Sequence, residues 1–102
     1  TLEVYFNFNS ARLVETEKRK IRSFFENEEL KGLKVEVYGY ADCIGSEVYN
    51  LKLSKKRAKA VSDFLKVFGV EVVKAEGLGE RKESEVLCLN RKAEIVFIGE
   101  GK

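Results

Sequence analysis

GYADCIGSEVYNLKLSKKR, residues 39–57, is the stretch whose reading decides the fold. It follows an alternating apolar run, Leu33, Val35 and Val37, which has the period of a strand with one buried face. That predicts a strand over Leu33 to Tyr40, with Gly39 at a point where the backbone must pass closely by a neighbour. The end of the stretch opens a helical pattern, with Ala58, Val61, Phe64, Leu65 and Phe68 on one face. The helix is expected to start at about Ser54, or at Ser46 if a short first turn is counted, and to run to Phe68 before Gly69 stops it. Residues between strand and helix therefore form a strand-to-helix loop, bracketed by Asp42 and Arg57. In an α/β layout such loops lie at the carboxyl ends of strands, where backbone N–H groups and helix N-termini face ligands.

Working outward, Leu2, Val4, Phe6 and Phe8 alternate with polar or half-polar neighbours and predict a first strand. Asn9-Ser10 ends it with side chains that compete for backbone hydrogen bonds. A helix is expected from about Leu13 to Asn27, with Val14, Ile21, Phe24 and Phe25 inward and a charged, solvated outer face. Val70 to Gly77 reads as a third strand. The polar, glycine-rich run Gly77 to Glu85 reads as a loop or short helical turn. A phosphate cradle on Gly77 and Gly79 is disfavoured, because the third glycine, the Lys-Ser/Thr pair and the following apolar helix are missing. Ala93, Ile95 and Phe97 alternate with Glu94, Val96 and Ile98, apolar enough on both sides to place the last strand inside a sheet. The order predicts an α/β two-layer sandwich of βαβαββ type, with a mixed four-stranded sheet and two main helices on one face. Right-handed crossovers make the helix-linked strands parallel.

A length of 102 residues fits a single domain spanning residues 1–102. Nineteen basic against seventeen acidic residues leave +2, too balanced for a nucleic-acid footprint. No apolar run approaches a membrane span, so any membrane attachment is expected through a part of the parent protein outside this chain. The absence of an initiating Met fits a piece excised from a larger protein. With no His in the chain, no metal-ligand cluster and no nucleophile elbow, neither a cofactor, a metal nor an enzymatic reaction is expected.

Gly39-Tyr40-Ala41-Asp42, Gly45-Ser46, Tyr49-Asn50 and Leu53-Ser54-Lys55-Lys56-Arg57-Ala58 together resemble the signature of the OmpA-like peptidoglycan-binding domain. That domain is shared by outer-membrane protein A tails, the peptidoglycan-associated lipoprotein and the flagellar stator protein MotB. Val4-Tyr5-Phe6-Asn7-Phe8-Asn9-Ser10 resembles the family's first strand and Asn90-Arg91-Lys92-Ala93-Glu94-Ile95 its last, so the resemblance covers nearly the whole chain.

The resemblance implies a non-enzymatic module that binds the stem peptide of peptidoglycan and tethers an envelope protein to the cell wall from the periplasm. The group read is the side-chain end of meso-diaminopimelate, which carries an ammonium and a carboxylate on one carbon. An Asp supplies an acceptor-only anion for the first, and an Arg a planar fork that meets two carboxylate oxygens at once. On the resemblance, Asp42 takes the ammonium and Arg57 the carboxylate. Asn50 and Asn9 resemble ligand hydrogen-bonders, and Arg91 a donor at the rim or a clamp on the loop. Without the resemblance, Asp42 and Arg57 read as a structural ion pair. Tyr49 and Leu53 read as core, and Lys55, Lys56 and Lys59 as a solvated helix face. Two other functions stay open: the wall anchor of a flagellar motor stator, and an envelope scaffold that has lost wall binding.

The chain departs from the family pattern at Ala41, where Thr is frequent, and at Lys92, which replaces a common second Arg. The segment between Gly79 and Asn90 is also short and lacks the usual proline. Cys43 follows Asp42, and Cys88 precedes the last strand. An antiparallel last strand beside the second would bring the two thiols to one edge, where they either form a disulfide or remain two buried thiols. Oligomeric state and strand order are not specified.

Overall fold

Residues 2–7, 9–26, 32–41, 46–80 and 91–99 are described by the structure, a computed structural model of the chain. Asp42, Cys43 and Cys88 lie outside them, and with them both alternatives for the cysteines, a disulfide or two buried thiols. The order is β1 (Leu2–Tyr5), α1 (Glu15–Phe25), β2 (Lys34–Ala41), α2 (Glu47–Lys66), β3 (Glu71–Glu80) and β4 (Lys92–Gly99). The strands form one mixed sheet in the order β1-β4-β2-β3. β2 and β3, joined through α2, are parallel, while β4 runs antiparallel to both β1 and β2. This is the expected α/β sandwich, with the last strand inside the sheet.

Both helices cover one face of that sheet, because its inward positions and theirs share a single core. Val4, Val35, Val37, Ala93 and Ile95 from the strands meet Ile21 and Phe25 of α1 and Ala58, Val61 and Leu65 of α2. All are buried, which makes their removal from water the main driving force for this arrangement. Phe24 is exposed on its outer side but stacks on Phe97, with ring centroids 5.2 Å apart. The same end of the core holds Phe25, Phe64 and Phe68.

Helix α2 starts at the earlier of the two expected positions. Ser46 caps it, its Oγ accepting the Tyr49 N–H at 3.1 Å, so that one of the unpaired first-turn donors is satisfied. Gly69 follows its end at φ +74, the left-handed conformation expected of a helix-terminating glycine.

β3 is longer than the sequence pattern indicates. Residues 77–80, expected in a loop, continue the strand, with Gly77 paired to Gly39 and Glu80 to Ala41. Gly77 reflects crowding rather than a turn, while Gly79 supplies a left-handed φ of +71. A Cβ on Gly39 would lie 1.9 Å from the Ser54 carbonyl oxygen, and one on Gly77 would lie 2.3 Å from the Lys55 backbone nitrogen. Two adjacent strands thus present bare backbone exactly where α2 crosses, and the helix settles onto them. Further back, Val35 pairs with Val72 but Glu36 with Lys74, so Val73 is an extra residue in β3. The bulge keeps Val72 and Ala75 on the helix side despite their odd spacing.

On the opposite sheet face, β1 and β4 are joined by charge as well as by their ladder. Lys92 Nζ lies 3.4 Å from Glu3 and 3.2 Å from Glu94, and the Tyr5 hydroxyl donates to Glu3. That hydrogen bond, with Lys92 beside it, holds the Glu3 carboxyl below its ordinary value.

Candidate functional site

The site forms where β1, β2 and the first half of α2 end or begin together. Arg57 lies at its centre and is buried, although a guanidinium leaves water only at a large cost unless hydrogen-bonded. Main-chain carbonyls meet that demand. Nε–H donates to Ser10 O at 2.9 Å, Nη1 to Tyr40 O at 2.8 Å and Nη2 to Asn7 O at 3.2 Å. The Phe6 ring lies against the cation, 5.3 Å from centroid to Cζ. One side chain therefore ties the β1–α1 connection and the end of β2 to α2. Its orientation is fixed by the protein in advance.

Asn50 and Ser54 continue the buried polar face of α2. Ser54 Oγ donates to Leu51 O at 2.7 Å and accepts the buried Gly79 N–H at 2.9 Å, pinning the end of β3 under the helix. Asn9 sits in the turn after β1 at φ 54, a left-handed conformation that Asn tolerates better than most residues. Its Oδ1 accepts a hydrogen bond from the Tyr49 hydroxyl. Ser10 N–H closes the turn by donating to Asn7 O at 3.2 Å. Arg91 lies just before β4 and is half-buried, and its carbonyl accepts the Phe6 N–H at 2.7 Å.

The structure thus brings Arg57, Asn50, Asn9 and Arg91 to one end of the sheet. Asp42 follows β2 by one residue, outside the described residues. Two residues were not predicted to belong to this end. Tyr49, expected in the core, is half-exposed with its hydroxyl on Asn9, whereas Leu53 is buried as expected. Ser54, read only as a possible helix start, is a buried tie to β3. Helical spacing carried the signal for both: Tyr49, Leu53 and Arg57 recur every fourth residue, and Ser54 lies four residues after Asn50 and three before Arg57, so they share one side of α2.

Away from this end, a groove of about 630 Å³ runs between α2 and β3, lined by Lys55, Lys59, Ser62 and Lys66 with Ala75 and Gly77. Lys59 and Lys66 are both engaged with Asp63, at 2.8 and 3.8 Å. None of the predicted site residues reaches it.

Comparison with known proteins gives a consistent result. Residues 5–85 match the OmpA family. The outer membrane protein A of Klebsiella aerogenes is 40% identical over 102 aligned residues, covering 94% of this chain and 29% of that protein. Its counterpart from Klebsiella pneumoniae is 36% identical, over 94% of this chain and 30% of the relative. The chain thus spans under a third of these relatives' length. Among solved structures, the peptidoglycan-associated lipoprotein from Burkholderia pseudomallei superposes with a TM-score of 0.75 at 28% identity, covering 94% of this chain and 89% of that one. The C-terminal domain of Helicobacter pylori MotB gives a TM-score of 0.75 over 98% of this chain and 86% of its own, at 19% identity, which is a likeness of fold alone.

Proposed function

The chain belongs to the OmpA family, and from that premise we propose that it is a non-catalytic module that binds peptidoglycan in the bacterial envelope. The ligand is the stem peptide, held through the side-chain end of meso-diaminopimelate, with the module on the periplasmic side. Asp42 accepts the ammonium, and the fixed fork of Arg57 receives the carboxylate.

The observation that carries this reading is the hydrogen bond from Arg57 Nη1 to Tyr40 O at 2.8 Å. It sets the guanidinium at the carboxyl end of β2, two residues before Asp42 in the chain. An anchored Arg loses little further freedom on binding, so its affinity for a carboxylate is spent on the ligand rather than on ordering a long side chain. Asn50, Asn9 and Arg91 surround the same end, and in this reading Asn50 and Asn9 are ligand hydrogen-bonders and Arg91 a donor at the rim. The first peptidoglycan-associated lipoprotein structure above shares the fold at appreciable identity, and its name supports wall association for this chain.

Calorimetry with a diaminopimelate-type stem peptide tests the proposal, with a lysine-type peptide and the Asp42→Asn variant alongside. Lysine keeps the ammonium but lacks the carboxylate. Binding of the first peptide, with losses on removing either the ligand carboxylate or the Asp42 charge, is the expected result. Equal affinity for both peptides would remove the carboxylate reading, and no binding of either would remove the wall-binding reading altogether. Asp42→Asn is preferred to an Arg57 variant, since Arg57 also holds three carbonyls of the fold.

A further inference from the structure

We propose that Tyr49 is a positioning residue for Arg57, acting through Asn9 and the turn that Asn9 belongs to. The inference deepens the wall-binding reading above and rests on it for its ligand. Its geometry stands separately.

Tyr49 and Arg57 lie two helical turns apart on one side of α2, with buried Leu53 between them. The turn after β1 runs along that side and is clipped at two points. At one, Ser10 O and Asn7 O accept from the Arg57 guanidinium at 2.9 and 3.2 Å. At the other, Asn9 Oδ1 accepts from the Tyr49 hydroxyl. Asn9 lies between the two carbonyl-bearing residues, so whatever holds Asn9 sets where both carbonyls point. Within the turn Ser10 N–H donates to Asn7 O and Arg12 N–H to Ser10 Oγ, whereas Asn9 itself is exposed and sits at φ 54, where most residues are strained.

Tyr49 also lies in the first turn of α2, whose Ser46 cap comes four residues after Asp42 in the chain. The hydroxyl therefore couples the start of this helix to the turn that aims the guanidinium. Planar, bidentate recognition of a carboxylate depends on the plane of the fork, whereas attraction of an ammonium to a carboxylate side chain does not. Loss of the hydroxyl should thus damage the reading of the ligand carboxylate and spare the rest.

The test uses Tyr49→Phe, which removes only the hydroxyl, and Asn9→Gly, which removes the acceptor while keeping a residue suited to positive φ. Two readouts are taken on each: hydrogen exchange of the Arg57 Nε–H by NMR, and affinity for diaminopimelate-type and lysine-type stem peptides. Each single variant is expected to speed Nε–H exchange and weaken the diaminopimelate-type peptide by roughly two- to fivefold, the scale of one partly exposed hydrogen bond. Affinity for the lysine-type peptide should stay unchanged. The double variant should be no worse than either single one, because both remove the same contact.

Unchanged Nε–H exchange in Tyr49→Phe, or additive effects in the double variant, would overturn the inference. So would equal weakening of both peptides, which marks a general loss of structure. If the unaltered domain binds neither peptide, the wall reading fails, and the exchange measurement alone still decides whether Tyr49 positions Arg57.

Discussion

From Glu47 to Arg57, α2 buries Asn50, Ser54 and Arg57 beside a single aliphatic residue, Leu53, and lies against glycine backbone; from Ala58 to Lys66 it buries Ala58, Val61 and Leu65 against aliphatic and aromatic side chains, with Ser62 its single buried polar residue. The two halves share one helix and one sheet but are held by different forces. In the second half, contact is non-directional, and no single partner atom fixes the position of the helix. In the first half, each buried polar atom needs its partner at a particular place, so the helix has one acceptable position. Positional precision is concentrated where the candidate ligand site lies.

Substitutions can break this contrast, beginning with the largest effect. Gly39→Ala puts a methyl group 1.9 Å from the Ser54 carbonyl oxygen, a backbone atom that moves only if the helix does. A loss above about 4 kcal/mol is expected in urea unfolding, enough to abolish folding in a domain of ordinary stability. Leu65→Ala, in the apolar half, should cost about 2–5 kcal/mol through lost burial and a residual cavity. Arg57 Nε–H exchange in the folded state should remain as it was.

Ser54→Ala is the converse. It leaves the Gly79 N–H without its acceptor and should cost about 1–3 kcal/mol. Faster amide exchange at Gly79 is its local mark. A larger disturbance of the Arg57 environment from Leu65→Ala than from Ser54→Ala would show that the two halves are not distinct in this way.

The smallest effect belongs to the exposed ion pairs of the second half. Hydrogen bonding to Lys59, with Lys66 adding attraction, holds the Asp63 carboxyl below its ordinary value of 3.8. A depressed folded-state pKa stabilises the fold above the unfolded value, and that contribution is lost as pH falls through the folded one. The difference in Tm between Asp63→Asn and the unaltered chain should therefore be slight near neutrality and vanish in acid below pH 3.8. A gap that widens in acid would reverse the sign assigned here.

Legibility in the sequence follows the same division. The apolar half was readable, because Ala58, Val61 and Leu65 announce themselves by spacing. So was the interior place of β4, from apolar residues on both of its faces. The end of β3 was not, since Gly77 and Gly79 carry the composition of a turn. Read by the reasoning that worked for Gly39, Gly77 marks a surface on which a helix rests, whereas Gly79 holds a left-handed position inside the strand. The family signature pointed to Arg57, but its burial was hidden because its acceptors among the described residues are main-chain carbonyls, which every residue possesses. Tyr49 was misassigned for a related reason: its partner, Asn9, lies across the fold on a turn whose path the sequence does not give.

β1 and β2 both run antiparallel to β4, so they point the same way, and the amino end of β1 lies at the opposite end of the sheet from the site. Tension entering at Leu2 and leaving at the carboxyl end of β2, Ala41, would pull β1 lengthwise against β4. Ladder bonds lie across the strands, so the pairs from Leu2↔Ile95 to Tyr5↔Lys92 would be sheared together instead of opening one at a time. A short edge strand is a weak joint when peeled and a much stronger one when loaded along its length.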